Sequence, residues 1–239
     1  MRKVSVFLRI LGGIGKSLYI NFKVLPFAKA IRLPILVSCQ TRLQGISKET
    51  IKIDTLKIRT GMISIGIFER SEGVIGPKYS YFGTDGNSKI IFGGNFSMVY
   101  GGCLKATGGG ILKMGDKVTF NTHSKVLCSH ETTIGNNVRL GWNVTLKDGD
   151  GHPICDEEGQ IFNHSKPIII GNNVWVGSEV TLLKGTVIPD GSVVGYGSIV
   201  TKAFDEESVI IVGSPAKIVK RNIRSVSYTH LRAHETDQY

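Results

Sequence analysis

His152 stands in Gly151-His152-Pro153, inside a stretch from Lys147 to Gln160 that carries five acids and three glycines. An imidazole, with an unperturbed pKa of about 6.5, can accept a proton from an attacking hydroxyl at neutral pH. Such a base needs an orienting partner, and Asp148, Asp150, Asp156 and a backbone carbonyl are all near enough in sequence. Cys155, three residues on, would give a Cys–His nucleophilic pair and a different mechanism, although nothing visible in the sequence activates its thiol. On its own a loop histidine is an ordinary solvated side chain. Its weight depends on what holds the loop.

What holds it is a six-residue repeat. Aliphatic residues return at Ile170, Val176, Leu182, Ile188, Val194 and Val200, and the fifth place of each unit is small or β-branched: Val174, Val180, Thr186, Ser192 and Ser198. Neither an α-helix nor an alternating strand has that period. A unit this short cannot bury its own side chain, so units must stack into a solenoid with flat faces and inward positions shared by successive coils. Earlier phases run through Phe92, Met98 and Leu104, then Met114, Phe120 and Val126, then Ile134, Leu140 and Leu146. The last change of phase is a two-residue slip near Glu131, which predicts a bulge or a short outward loop. Residues 50–70 read as irregular early coils and 71–90 as a polar, Gly-rich loop. Residues 147–167 are too polar for a buried coil and predict an extruded loop mounted on the scaffold. Residues 203–224 should cap the open end.

Three stretches resemble one known family: Gly151-His152-Pro153-Ile154, Pro167 through Ser178, and Val194 through Lys202, with a matching close from Val212 to Lys220. They are similar to the hexapeptide-repeat acyltransferases, above all the maltose and galactoside O-acetyltransferases and related polysaccharide O-acetyltransferases, over about residues 110–221. The resemblance implies an all-β fold, a left-handed parallel β-helix, here with an N-terminal amphipathic helical segment and a C-terminal cap. It implies acetyl transfer from acetyl-CoA to a sugar hydroxyl without a metal, in a homotrimer whose sites lie between subunits. By position in the motifs, His152 is the general base and Asn121 meets the acceptor. Ser178, Tyr196, Thr201, Lys202, Lys217 and Lys220 meet the coenzyme, the lysines near its phosphates. Tyr196 replaces the alanine commoner in that unit. Three other readings stand beside this one. A γ-class carbonic anhydrase needs three histidines on zinc, and His123, His130, His152 and His164 lack the usual close pair. A serine acetyltransferase would bring a long helical leader. A non-catalytic scaffold predicts no acyl-CoA binding.

The net charge of +10 sits at one end. Residues 1–48 hold nine basic side chains and no acid, which leaves +1 for the other 191 residues. The chain therefore divides into a basic segment 1–48, a solenoid 49–224 and a tail 225–239 that shares nothing with the repeat and reads as non-native. Within residues 2–25, Val4, Phe7, Leu8, Leu11, Leu18, Phe22 and Leu25 share a helical face, and Arg2, Arg9, Lys16 and Lys23 recur every seven residues. This segment either lies on an anionic membrane surface or packs along the solenoid. Gly12, Gly13 and Gly15 weaken it as a helix. Nothing offers stacking platforms or a reading motif for nucleic acid. Cys39, Cys103, Cys128 and Cys155 show no paired spacing and no cleavable secretory signal is evident, so a reduced cytoplasmic setting is expected, at the inner membrane surface under the first reading of the basic segment.

Overall fold

The computed structural model describes residues 2–67 and 78–224, with side chains from residue 10 onward in the first helix. The side chains of Arg2, Val4, Phe7, Leu8 and Arg9, residues 71–77 of the expected loop, and the 225–239 tail with His230 and His234 lie outside the described residues.

Among the described residues the chain winds through three sheets in turn. The first runs from Ile35–Val37 to Ala216–Lys220, the second from Thr41–Gln44 to Ile199–Val200, and the third from Ile51–Ile53 to Val187–Ile188. Successive strands visit the first, second and third sheets in order, and coils pair in parallel throughout. The exception is the closing hairpin, where Ile210–Gly213 and Ala216–Lys220 run antiparallel. This is the parallel β-solenoid that the hexad predicts, the left-handed β-helix that the resemblance implies. Ile170, Val176, Leu182, Ile188, Val194 and Val200 all point inward and are buried, as are Val174, Val180, Thr186, Ser192 and Ser198. The buried hydroxyls have partners: Thr186 Oγ1 donates to the Val200 carbonyl (3.1 Å) and Ser198 Oγ to that of Gly195 (2.8 Å).

Coil length explains what the repeat obscured. In-register partners are 22 residues apart at Tyr81 and Cys103, 20 at Thr119 and Arg139, and 18 at Trp175 and Val193. The longer early coils carry an extra inward position on the second sheet, occupied by Thr84, Ala106 and Cys128 in register. The slip near Glu131 is therefore neither bulge nor loop. The strand Lys125–Cys128 is simply one inward residue longer, and Thr132 turns inward after it. The wider interior takes aromatic rings: Phe82, Phe92, Phe96 and Phe120 stack in sequence with centroids 6.0, 5.2 and 5.1 Å apart. Residues 78–90 also correct the reading, because Ser80–Thr84 is a strand of the second sheet. Its inward Ser80 and Thr84 are polar, so hydropathy could not mark it.

The solenoid begins at Ile35, within the segment that charge had set apart, and its first edge is covered by helix α1 (Arg2–Val24), which α2 (Phe27–Ala30) follows. An open strand edge leaves backbone groups unpaired. Here two side chains one helical turn apart do the pairing. Ser17 Oγ accepts from the Val37 N–H (3.0 Å), while Asn21 accepts from the Ile35 N–H (3.1 Å) and donates to the Ile35 carbonyl (2.7 Å). Gly13 lets the helix descend this far, since a Cβ there would overlap the Val37 carbonyl. The glycine that weakened the helix on paper is what allows it to dock.

Replacing Asn21 with Leu leaves both Ile35 groups without partners, and each buried orphan costs about 1–3 kcal/mol. Urea unfolding of Asn21→Leu should show that loss in the midpoint at unchanged slope; an unchanged midpoint rules out this role for the helix.

Candidate active site

The extruded loop leaves between the second and third sheets, after Thr145–Lys147, and returns at Ile168–Ile170. Its foot is a buried carboxylate. Asp148 is fully buried and continues the extra inward column above Cys128. It accepts from the Ser129 N–H (2.7 Å), the Ser129 hydroxyl (2.8 Å) and the His130 N–H (3.0 Å). The Lys166 N–H closes the foot on the Asp148 carbonyl at 3.0 Å. Burial pushes the Cys128 thiol up to about 12, and the charge and hydrogen bond of Asp148 add to the push.

Above the foot the chain doubles back as a short hairpin. Cys155 bridges Ile161, and the Phe162 N–H donates to the Ile154 carbonyl at 3.1 Å. Asn163 fastens this hairpin to the His152 segment. Its Nδ2 donates to the His152 carbonyl (2.8 Å) and to Asp150 Oδ2 (2.8 Å), while its Oδ1 accepts from the Ile154 N–H (2.6 Å). Lys184, from the coil above, donates to Asp150 Oδ2 (2.6 Å) and to the Asn163 carbonyl (2.9 Å). The Lys184 and Asn163 hydrogen bonds hold the Asp150 carboxyl below the usual carboxylate range.

His152 itself is exposed, with its backbone pinned and its ring free to meet a ligand. Each acid considered as its orienting partner is engaged elsewhere: Asp148 inward, Asp150 with Lys184 and Asn163, and Asp156 with the Gln160 N–H (2.7 Å). What fixes the segment is Asn163 and Lys184. Asn163 lies outside the repeat and Lys184 at the variable third place of its unit, so the sequence offered no signal for them.

The other expected site residues fall into three places. Asn121 and Ser178 share a recess of about 180 Å³ at the corner between the first and second sheets, with Arg139, Thr119, Ser97 and the half-exposed Trp175. Tyr196 lies on that same corner, its ring 5.7 Å from Trp142. Ser178 Oγ accepts from the Trp142 N–H at 3.2 Å, so part of its capacity already ties two coils together. Thr201 and Lys202 follow Ile199–Val200 at the next corner, the one from which the His152 loop leaves. There the Lys202 ammonium sits 5.2 Å over the Phe204 ring. Lys217 and Lys220 are exposed on the last strand, paired with Val212 and Ile210. One chain thus brings Asn121 to Ser178, and His152 to the corner of Thr201 and Lys202, but sets these two groups on different corners of the prism. Gly195 has a packing duty: a Cβ there would overlap Val212. Among the described residues no three His, Cys, Asp or Glu side chains converge on a point that could hold a metal.

Comparison with known proteins places this geometry. A family model described as the hexapeptide repeat of succinyl-transferase matches residues 167–202. Galactoside O-acetyltransferase of Escherichia coli K12 is 41% identical over 103 residues, covering 42% of this chain and 49% of that protein. The polysialic acid O-acetyltransferase of Escherichia coli O1:K1 is 42% identical over 93 residues, 38% of this chain and 30% of that one. The chain therefore aligns with about half or less of the length of these relatives. Among solved structures, the polysialic acid O-acetyltransferase OatWY superposes with a TM-score of 0.53 at 25% identity, over 82% of this chain and 96% of that one. The polySia-specific acetyltransferase NeuO superposes with a TM-score of 0.52 at 22% identity, over 82% and 91%.

Two outcomes follow from the loop. Lys184→Met should raise the Asp150 carboxyl, followed by NMR titration, and speed amide exchange at Ile154. Because that carboxyl titrates lower in the folded protein, its contribution is full above the ordinary carboxylate range and fades as pH falls through its folded value; an unmoved titration means the pair is only a surface contact. Alkylation with iodoacetamide at pH 8 should label the exposed Cys39 and Cys155 and spare Cys128 until the protein unfolds.

Proposed function

We propose, on the premise that the chain belongs to the hexapeptide-repeat family of left-handed β-helix proteins, that it is an acyltransferase carrying the acetyl group of acetyl-CoA to a sugar hydroxyl. The acceptor is a polysaccharide or lipid-linked glycan precursor. The observation that carries this reading is the exposed His152 imidazole on a backbone held by Asn163 and Lys184. It stands at the corner where Thr201 and Lys202 lie.

In the proposed reaction the acceptor hydroxyl oxygen bonds to the thioester carbonyl carbon as its proton passes to the His152 ring. The C–S bond then breaks, and the coenzyme thiolate recovers that proton. A hydroxyl is a poor nucleophile at neutral pH, so a positioned base contributes about 10²- to 10⁴-fold, and the rest comes from holding the two reactants together. Lys202, Lys217 and Lys220 serve the coenzyme's phosphates through charge-assisted hydrogen bonds. Asn121 serves the acceptor, and Ser178 and Tyr196 border the channel.

The two separated corners give this site a natural completion, a homotrimer in which the His152 corner of one copy faces the Asn121–Ser178 recess of the next. The exposed Ile154, Ile161 and Phe162 on the loop support such a contact, because apolar side chains clustered on an outward loop favour a covering partner. Free thiols and a glycan-precursor acceptor suit a cytoplasmic setting.

Thiol release from acetyl-CoA, assayed over a panel of sugars and nucleotide sugars, tests the reading. His152→Ala should lower turnover about 10²- to 10⁴-fold with little change in coenzyme affinity. Full turnover in that variant removes the base, and absence of acetyl-CoA binding by the unaltered chain leaves the scaffold reading in its place.

A further inference from the structure

Helix α1 has two faces of different character. The inner one, Gly13, Ser17, Ile20, Asn21 and Val24, is buried on the first strand. The outer one is apolar and open. Leu11, Ile14, Leu18 and Phe22 recur at helical spacing and are 56%, 39%, 41% and 46% exposed. This stripe continues past the helix: the Phe22 and Phe27 rings lie 5.8 Å apart, and Phe27 and Ile31 are exposed by 71% and 56%. Burying the inner face explains why the helix docks. It gives no account of the outer face, which a soluble surface would fill with polar side chains.

Charge identifies what covers it. Along one flank of the stripe, beyond Tyr19, lie Lys16 and Lys23, and Lys29 and Arg32 follow in the next turns. No acid occurs before Glu49. A second copy on this face would press two wholly basic segments together, and a nucleic acid would leave the stripe in water. An anionic lipid surface satisfies both halves, taking apolar side chains below its headgroups and cations among them. No described helix is long and apolar enough to cross a membrane. Beside the helix lies a shallow recess of about 500 Å³ bordered by Tyr19, Arg42 and Tyr79, where the Lys16 ammonium ties the helix to the Cys39 and Thr41 carbonyls (2.7 and 2.8 Å).

We infer that the outer face of α1 and α2 seats the protein on an anionic bilayer, with α1 lying in the interface plane and the solenoid held to it through Ser17 and Asn21. The inference is independent of acyl transfer. It turns the first coil toward the lipid surface.

Flotation of the full chain with vesicles tests it. Binding to vesicles of phosphatidylglycerol in phosphatidylcholine should exceed binding to phosphatidylcholine alone by about tenfold or more, and fall as salt rises. Leu18→Glu with Phe22→Glu should abolish it at unchanged thermal stability, since neither side chain belongs to the core. Lys23→Gln with Lys29→Gln and Arg32→Gln should weaken binding to the anionic vesicles alone. His152→Ala should bind as the unaltered chain does, which separates this result from any loss of catalysis. Equal binding to neutral vesicles, no binding to either, or a self-association that dissolves in the Leu18 and Phe22 variant without any vesicle binding overturns the inference.

Discussion

Parallel pairing between coils is the interaction on which the remainder depends. Neighbouring strands lie about 4.8 Å apart, so every side chain rests on the one at the same station a coil earlier. Inward stations must then agree in size from coil to coil, and outward ones form columns. Corners obey the same rule. Lys117, Asn137, Asn173 and Gly191 take positive φ at one corner, and His123, Asn143, Glu179 and Gly197 at the next, in register. Asparagine and aspartate stitch the first of these corners. Asn136 donates to Asn172 through its N–H (2.8 Å) and its side chain (3.0 Å), and Asn172 donates likewise to Asp190 (2.7 and 3.0 Å). Each amide satisfies a turn that the backbone alone would leave open.

That rule also decides where an insertion is tolerated. Asn136 and Asn172 are 36 residues apart, twice the 18 that separate Asn172 from Asp190. The loop therefore adds one coil's length of chain without disturbing the register on either side. It leaves where the extra inward column ends, and the column ends in Asp148. A carboxylate buried among N–H and hydroxyl donors is costly to expose and costly to leave unpaired. It anchors the foot of the loop to the 129–130 turn more firmly than an apolar residue could.

The hexad carried the late coils in full, because their inward stations are aliphatic and their spacing is uniform. It carried the early coils poorly. Ser80, Thr84, Ser124 and Thr132 are buried polar residues at inward stations, and the extra station held by Thr84, Ala106 and Cys128 shifts the period. Periodicity read through hydropathy registers neither. For the site, composition was enough to put His152 on an extruded loop, whereas the recess shared by Asn121 and Ser178 is known only from the fold. Composition could not find Asn163 or Lys184, which act through contacts that cross 11 and 34 residues. Nor could it tell that Asp148 faces inward, since an acid in a polar loop looks the same in sequence whether solvated or buried. Of the two readings open for the N-terminal helix, packing along the solenoid is what its inner face does. Its outer face remains apolar and uncovered.

That the exposed His152 imidazole, proposed as the base, has no carboxylate of its own bears on the proposed chemistry. Where an acid holds an imidazole, it also stabilises the imidazolium that forms during proton transfer. Here Asp150 is already neutralised by Lys184 at 2.6 Å, and Asp148 is sealed beneath the loop. Orientation must then come from the backbone latch at Asn163 and from whatever closes over the ring, and the charge that develops on the ring must be met there too. A neighbouring copy that brings its Asn121 corner against the loop would supply both at once and exclude water, so that dipoles fixed in place replace a mobile solvent. Under the proposed reaction, then, assembly belongs to the catalytic apparatus, because a single chain holds the two groups of proposed site residues on different corners.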